Sequence, residues 1–242
     1  MKAIILVAGY ATRMYPLTEN TPKALLPLRG KAVIDYIIEK INDLPEVDEI
    51  FVVSNSKFFP HFSDWAKTAP TKLKIEVLDD GTTDNSNRRG AVGDVQFAIS
   101  EKSITDEIVV IAGDNYFTYD LRDQYDFYRK TGHDTLTGKE LDDIEMLKSF
   151  AVATLDDNGK VLELEEKPAV PKSNMAIYAT YFFRKETVPL FEKYLSEGNN
   201  ADLIGAFPQW LYKLHDVYTY KMDGDCYDIG TIEMYERMNV GG

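Results

Sequence analysis

The chain has 242 residues, with 27 Lys and Arg against 40 Asp and Glu, which gives a formal net charge of −13 at pH 7. This length suits one α/β domain with a substantial core, and the acidic balance argues against general binding to nucleic acids or anionic membranes, which need basic faces. The single cysteine, Cys226, excludes an intramolecular disulfide and a cysteine-based zinc site, and no apolar run approaches the length of a membrane span.

The first predicted strand ends in a turn of small residues. Lys2 to Val7 is an apolar run, typical of a strand that is buried on both faces of a parallel sheet. Small residues after it let the backbone pass close to a ligand and direct N–H groups at an anion; the turn consists of Ala8, Gly9, Tyr10, Ala11, Thr12 and Arg13. Arg13 and Lys23 add two cations, so the stretch predicts a polyphosphate-binding loop. An ordinary strand-to-helix loop with two solvated cations is the alternative.

Strands and helices then alternate as far as about residue 130. Such alternation predicts a right-handed, largely parallel sheet, with the active site in the loops at the carboxyl ends of its strands. The predicted elements are helices at 30–44, 58–65, 90–100 and 120–130, and strands at 49–54, 73–78 and 107–112.

Two of the loops that follow strands carry candidate site residues. The polar segment 79–89 leads into Gly90, and we expect backbone groups near Gly90, with Asp80 and Gly81, to read the edge of a nucleobase; an exposed loop is the alternative. The strand at 107–112 ends in Gly113, Asp114 and Asn115. A carboxylate at the mouth of a parallel strand is well placed to hold Mg²⁺ between phosphate oxygens, and a helix or turn cap is the alternative.

From residue 134 the pattern becomes antiparallel. Strands are predicted at 135–140, 150–155, 161–166 and 174–183, with a hairpin turn at 156–159, and this insert should form one wall of the cleft. Helices at 186–196 and 202–214, a strand at 217–222 and a helix at 232–238 complete the chain.

The opening stretch resembles the first motif of the sugar nucleotidyltransferases, the sugar-1-phosphate pyrophosphorylases that include the glucose-1-phosphate thymidylyltransferases. The resemblance rests on Gly9, Thr12-Arg13, Pro16-Leu17-Thr18, Pro22-Lys23 and Leu26-Pro27-Leu28. Later segments resemble further family motifs and spread the likeness over most of the chain; they are Gly113-Asp114, Glu166-Lys167-Pro168, the strand at 174–183 and Tyr227-Asp228-Ile229-Gly230-Thr231. The register of this last motif favours Asp228 over Asp225 as a metal ligand.

This resemblance implies a three-layer, Rossmann-like nucleotidyltransferase fold with a mostly parallel mixed sheet. It implies a single domain over 1–242, with a nucleotide-binding part at 1–130 and an acceptor-binding part at 131–242. The implied reaction is transfer of a nucleoside monophosphate from an NTP to a sugar 1-phosphate, with release of pyrophosphate. Since no β-helix repeat follows, a short form without the acetyltransferase domain is expected.

The resemblance also implies roles for individual residues. Arg13 and the 8–13 backbone would hold the β and γ phosphates, and Lys23 would stabilise the leaving pyrophosphate. Asp114 and Asp228 would share a Mg²⁺ ion, and Lys167 would hold the sugar phosphate in line. The remaining acceptor-side candidates are Asn115, Ala151, Glu166, Asn174 and Ala179.

Three alanines depart from the family pattern, because Ala11, Ala151 and Ala179 stand where glycine is usual. A tighter or differently aimed turn is expected at Ala11, and a narrowed pocket at the other two, which argues against glucose. A cytidylyltransferase acting on phosphocholine or an alditol phosphate stays open, with Tyr116, Tyr178 and Tyr181 as candidates for an ammonium cage. A non-catalytic nucleotide sensor is a further alternative. A dinucleotide oxidoreductase is the weakest one, because the first loop lacks three-glycine spacing.

The expected partners are an NTP and a sugar 1-phosphate or related small phosphate, with no nucleic acid and no membrane. Assembly into a homo-oligomer is left open. Met1 leads straight into the first strand without a secretory leader, so a cytoplasmic location is expected.

Overall fold

Apolar strands form the centre of the fold in the computed structural model, which describes residues 1–240. The strands are β1 (Lys2–Leu6), β2 (Pro27–Leu28), β3 (Lys31–Ala32), β4 (Glu49–Ser54), β5 (Lys74–Asp79), β6 (Ile108–Ala112), β7 (Asn115–Phe117), β8 (Asp134–Glu140), β9 (Ala151–Leu155), β10 (Val161–Glu166), β11 (Met175–Phe183), β12 (Val217–Lys221) and β13 (Cys226–Asp228). The helices are α1 (Val33–Ile41), α2 (Phe59–Ala66), α3 (Ala91–Lys102), α4 (Leu121–Thr131), α5 (Ile144–Leu147), α6 (Leu190–Ser196), α7 (Ala206–Leu211) and α8 (Ile232–Val240).

Four parallel strands, in the order β6-β1-β4-β5, make the middle of the sheet. Successive side chains of a strand face opposite sides, so β1 contributes to two cores. Ala3 and Ile5 pack in the core that includes side chains of α1, α2 and α4, whereas Ile4 packs in the core that includes side chains of α3, α6 and α7. The predicted three-layer arrangement is confirmed.

The long strand β11 joins this parallel centre to the rest of the sheet. Its second half, Thr180–Phe183, pairs with β6, and its first half, Met175–Ile177, pairs with β9. On its other edge β11 pairs with β8, with a register shift between Tyr178 and Tyr181, and β12 pairs with β8. Within residues 1–240 all strands of the nine-stranded sheet except β10 and β11 run in one direction, so the mostly parallel mixed sheet is confirmed. The antiparallel segment continues this sheet.

Most predicted elements lie within a few residues of the observed ones, but three helices are shorter than predicted. The helix predicted at 30–44 spans only Val33–Ile41, because Lys31–Ala32 forms β3. The helix predicted at 186–196 begins at Leu190, after a turn in which Thr187 donates a hydrogen bond to Asp134 at 2.7 Å. The helix predicted at 202–214 begins at Ala206, because backbone carbonyls of Ala201 and Asp202 accept hydrogen bonds from the start of α3. Within the described chain, no helix is long and apolar enough to cross a membrane.

Candidate active site

The loop after β1 takes its shape from Ala11, which has the left-handed backbone angles φ 47° and ψ 40°. Its carbonyl accepts hydrogen bonds from Met14 N at 2.9 Å and from Thr18 Oγ1 at 2.7 Å, and these bonds hold the conformation. Glycine adopts it at no steric cost, whereas alanine pays about 1 kcal/mol or more. The turn therefore has at Ala11 a backbone conformation that favours glycine, and this conformation is strained. The tighter or differently aimed turn expected at Ala11 stays a prediction.

This loop lines a first cavity of about 360 Å³ at the carboxyl end of β1. All six residues predicted for the loop, from Ala8 to Arg13, line it. Lys23, Asp114 and Asp228 lie on the same cavity wall, as do two residues of the 79–90 loop, Asn85 and Arg88. The predicted phosphate-binding cations and the two predicted metal ligands are thus gathered in one place.

A short antiparallel ribbon of β7 and β13 brings the two aspartates together. Asn115 pairs with Asp228 across the ribbon, and Asp114 immediately precedes Asn115. Lys23, in a 3₁₀ turn that follows Pro22, lies between the carboxylates. Its Nζ is 2.9 Å from Asp114 Oδ2 and 2.9 Å from Asp228 Oδ1, so both carboxylates share one cation.

The three charges differ in their access to solvent. The Lys23 side chain is 10% exposed, whereas Asp114 and Asp228 are 43% and 64% exposed. Burial alone would lower the pKa of the Lys23 ammonium, but the charges of Asp114 and Asp228 outweigh it and hold the pKa above its ordinary value. Among residues 1–240, neither Asp114 Oδ1 nor Asp228 Oδ2 accepts a hydrogen bond. Each carboxylate therefore retains a ligand atom for a substrate or an ion.

These two aspartates fit part of a Mg²⁺ site. Magnesium takes oxygen ligands and is often held by one or two carboxylates together with substrate phosphates and water. No group of three or more His, Cys, Asp or Glu side chains that could hold a metal occurs in the described chain. The protein therefore offers a two-carboxylate site that substrate oxygens and water would have to complete.

A second cavity, of about 270 Å³, shares Asp114 and Asp228 with the first. It opens where β11 changes its partner from β6 to β9, since residues 178 and 179 pair with neither strand there. Five of the six predicted acceptor-side residues line it; they are Asn115, Ala151, Glu166, Lys167 and Ala179. Phe150, Tyr178 and Tyr181 add aromatic surface.

The end of β10 is strained where it meets the second cavity. Lys167 has a left-handed φ of 49°, and its N–H donates to Phe150 O at 3.0 Å. Glu166 N donates to Gln209 Oε1 at 2.7 Å, which fixes the backbone, while the Glu166 carboxylate accepts no hydrogen bond from the described residues. Burial raises the pKa of that carboxyl, although the charge of Lys167 opposes the shift. Strained residues of this kind cluster at ligand-binding sites.

The remaining predicted residues lie away from both cavities. Within the described chain, Asp80, Gly81 and Gly90 line neither of them. Asp80 is buried, and its Oδ1 accepts hydrogen bonds from Thr82 N and Thr82 Oγ1, each at 2.7 Å. Gly90 has φ 83° and packs so closely on Ala201 that a side chain would collide with the Ala201 carbonyl. Asp80 and Gly90 therefore shape the loop beside the first cavity.

Asn174 also lies outside the second cavity. It lines a separate cavity with Leu141 and Pro171, and its carbonyl accepts a hydrogen bond from Leu141 N at 2.9 Å.

Several cavity or supporting residues were not singled out from the sequence, among them Arg88, Asp202, Gly205 and Gln209. Arg88 could have been noticed, because Arg88-Arg89 is an adjacent basic pair that ends the polar 79–90 loop of an acidic chain. Gly205 faces Glu166 so closely that a methyl group there would collide with the Glu166 carboxylate. The other two act through contacts between distant segments, which a single sequence does not display.

Comparisons with known proteins agree over nearly the whole chain. The Nucleotidyl transferase family model matches residues 2–241. The bifunctional protein GlmU of Methanocaldococcus jannaschii is 36% identical over 234 residues, which cover 95% of this chain and 51% of the relative. A glucose-1-phosphate thymidylyltransferase of Streptomyces griseus is 31% identical over 186 residues, which cover 76% of this chain and 49% of the relative. The chain spans about half the length of these two relatives.

Solved structures share the fold at lower identity. A UDP-glucose pyrophosphorylase complexed with UDP-glucose superposes with a TM-score of 0.84 at 19% identity, over 99% of this chain and 97% of that chain. A UTP-bound UGPase from Acinetobacter baumannii gives a TM-score of 0.78 at 17% identity, over 99% of this chain and 92% of that chain. At these identities the likeness concerns the fold.

Proposed function

This chain belongs to the nucleotidyl transferase family, and on that premise we propose that it transfers a nucleoside monophosphate from an NTP to a sugar 1-phosphate, releasing pyrophosphate. The observation that carries the proposal is the cluster of Lys23, Asp114 and Asp228, because both cavities border its two carboxylates. A reaction between two phosphate groups requires both substrates to meet at one charged centre.

The first cavity is the proposed nucleotide site. A left-handed residue followed by a helical turn directs successive backbone N–H groups into one concavity, which suits an anion; here these are Ala11 and the 3₁₀ turn Thr12–Met14. Arg13 lies in that turn and can pair with the β and γ phosphates. Lys23 stabilises the charge that develops on the pyrophosphate as it leaves.

Asp114 and Asp228 would hold Mg²⁺ between the two substrates. A divalent ion held by these carboxylates would supply positive charge beside the phosphate groups of the substrates. Lys23, which pairs with both carboxylates in this structure, would then be free to pair with phosphate oxygens instead.

The second cavity is the proposed acceptor site. Lys167, exposed at its rim, holds the acceptor phosphate in line as a compact point charge. The Glu166 carboxylate, without a hydrogen-bond donor among the described residues, can accept hydrogen bonds from hydroxyl groups of the acceptor. Since an oxygen of a phosphate monoester is already anionic near neutral pH, the attack needs no general base.

The aromatic wall of the second cavity favours one alternative acceptor. The rings of Phe150 and Tyr178 have centroids 4.8 Å apart, and Glu166 lines the same cavity. Aromatic faces with a nearby carboxylate suit a quaternary ammonium group, so phosphocholine, with CTP as donor, is the second candidate. Tyr116 packs against Tyr36 and Tyr227 and does not belong to the wall of either cavity in the described chain.

A matrix of pyrophosphate-release assays tests the proposal. Each of five NTPs is combined, with Mg²⁺, with a panel of sugar 1-phosphates, phosphocholine and alditol phosphates. Release with a sugar 1-phosphate supports the first candidate, and release with phosphocholine and CTP alone supports the second. If no combination releases pyrophosphate while NTPs still bind, the chain is a nucleotide sensor and the proposed catalysis is wrong.

A further inference from the structure

Arg88 connects the two cavities through an ion pair. It belongs to the 79–90 loop and lines the first cavity, while its guanidinium pairs with the carboxylate of Asp202, which lines the second cavity. Its Nη1 also donates to Asn85 Oδ1 at 3.4 Å. The ion pair therefore joins a side chain of the first cavity to a side chain of the second.

The partners of this ion pair differ in how firmly they are held. Asp202 O accepts a hydrogen bond from Ala91 N at 3.2 Å, and Asp202 N donates to Asn200 Oδ1 at 2.7 Å. These bonds anchor Asp202 to the start of α3. The side chains of Arg88 and Asp202 are 50% and 42% exposed, and among the described residues the Arg88 guanidinium makes hydrogen bonds or ion pairs with Asn85 and Asp202. Arg88 is thus the partner that can move.

The charged side chains of the first cavity, apart from Arg88, have no net positive charge to offer a triphosphate. Arg13 and Lys23 are cations, but the carboxylates of Asp114 and Asp228 balance them, so these four groups sum to no net charge. A triphosphate is strongly anionic and requires a surplus of positive charge around it. Arg88 is the third cation among the residues that line the cavity and adds to any charge that a metal ion brings. Its planar guanidinium matches the geometry of phosphate oxygens.

We propose that Arg88 is a phosphate-binding residue of the nucleotide site and that Asp202 holds it in reserve until a nucleotide enters. On binding, the guanidinium exchanges one anionic partner, the Asp202 carboxylate, for another, a phosphate of the nucleotide. The proposal rests on the proposed function, since it takes the first cavity to be the triphosphate site. It gives the two members of one ion pair opposite effects on nucleotide affinity.

Isothermal titration of the full chain separates these effects, with tripolyphosphate as a base-independent probe and each of five NTPs beside it. Removing Arg88 (R88Q) should weaken tripolyphosphate and NTP binding by about 10-fold or more, the scale of one charge-assisted hydrogen bond. Removing the Asp202 carboxylate, which competes with phosphate for Arg88 (D202N), should strengthen binding of tripolyphosphate and of NTPs. R122Q is the matched control, because Arg122 is also half-exposed and pairs with Asp126, at 2.9 Å, on a helix away from both cavities. It should bind as the wild type does, and thermal melts should show all three variants folded.

Unchanged affinity in R88Q, while the wild type binds, would overturn the role of Arg88 and leave the proposed function intact. Equal weakening in R88Q and D202N would also overturn it, because the pair would then be a structural link. A wild type that binds neither tripolyphosphate nor any NTP, and releases no pyrophosphate, would instead overturn the proposed function and this inference with it.

Discussion

Lys23 joins two carboxylates that come from distant parts of the chain. In this structure its ammonium lies between Asp114 and Asp228, the two carboxylates that the proposed function assigns to a metal ion. At these distances the Lys23 ammonium and each of the two carboxylates stabilise one another's charged forms. Because Asp114 and Asp228 are partly exposed, substitutions at these two positions should change turnover far more than folding.

Asp114→Asn should lower kcat by about 100- to 1,000-fold, the scale for one preorganised charged contact to a transition state. The amide keeps the shape of the side chain but removes half of the proposed metal site. Asp225→Asn is the matched control, because Asp225 is a nearby carboxylate that pairs with Lys139 instead. Steady-state rates at saturating Mg²⁺ measure kcat for both variants, and Asp225→Asn should keep the wild-type value. Near-wild-type turnover in Asp114→Asn would contradict the metal assignment.

Ala11→Gly should increase the free energy of unfolding by about 0.5 kcal/mol, because relief of left-handed strain exceeds the added entropy of the unfolded chain. Urea unfolding followed by circular dichroism measures the change. Ala169→Gly is the control, since Ala169 is an exposed loop residue without a positive φ, and there stability should fall slightly. Loss of stability in Ala11→Gly would show that Ala11 carries little strain.

At the scale of elements, the change of partner along β11 creates the second cavity, the proposed acceptor site. One strand cannot pair with β6 and β9 at the same residues, so a gap remains between its two paired halves. The end of β10, with Glu166 and Lys167, lines the cavity there, and so does Gly205, which lies against Glu166.

Gly205→Ala should raise the KM for the acceptor by about 10-fold or more, since even a small displacement of a positioning group is costly. The added methyl group collides with the Glu166 carboxylate and displaces it. The KM for the NTP, measured on the same variant, serves as the internal control and should not change. Equal increases in both constants would indicate a general distortion of the fold.

Elements differ in how far the sequence determines them. The strands of the parallel centre were predictable, because β1, β4 and β6 are mainly apolar runs and β5 alternates polar and apolar residues. The strands β7 and β13 have three residues each and therefore show no periodicity, yet they bring Asp114 and Asp228 together. The motif residues of the site could be named from resemblance alone. The pairing of Arg88 with Asp202 could not, because it depends on how residues 199–205 dock on α3.

At the scale of the whole molecule, a buried acidic pair makes stability depend on pH. Asp80 and Asp94 are both buried, and Asp80 Oδ2 and Asp94 Oδ1 have no hydrogen-bond partner among the described residues. Burial and the neighbouring Asp80 raise the pKa of the Asp94 carboxyl to about 8, with Asp202 adding to the shift and Arg89 opposing it. The folded chain therefore keeps a proton that the unfolded chain releases near pH 4.

The free energy of unfolding should consequently fall as pH rises from about 4 to about 8, by at most about 1.4 kcal/mol per pH unit, and level off above that range. Asp94→Asn should lack this component, so its stability should exceed that of the wild type increasingly towards pH 8. Urea unfolding at several pH values measures the slopes. Asp123→Asn, at an exposed position of α4, is the control and should retain the wild-type slope. If Asp94→Asn also showed the wild-type slope, the buried proton would be excluded.

The ribbon of β7 and β13 also has a consequence for synthesis on the ribosome. Asp228 belongs to the last strand, whereas the parallel centre of the sheet ends with β6. A nascent chain can therefore assemble its central layer well before it acquires Asp228, the second carboxylate of the proposed metal site. On the proposed function, any fragment that stops short of β13 would lack that carboxylate and so would be inert even if its core were fully packed.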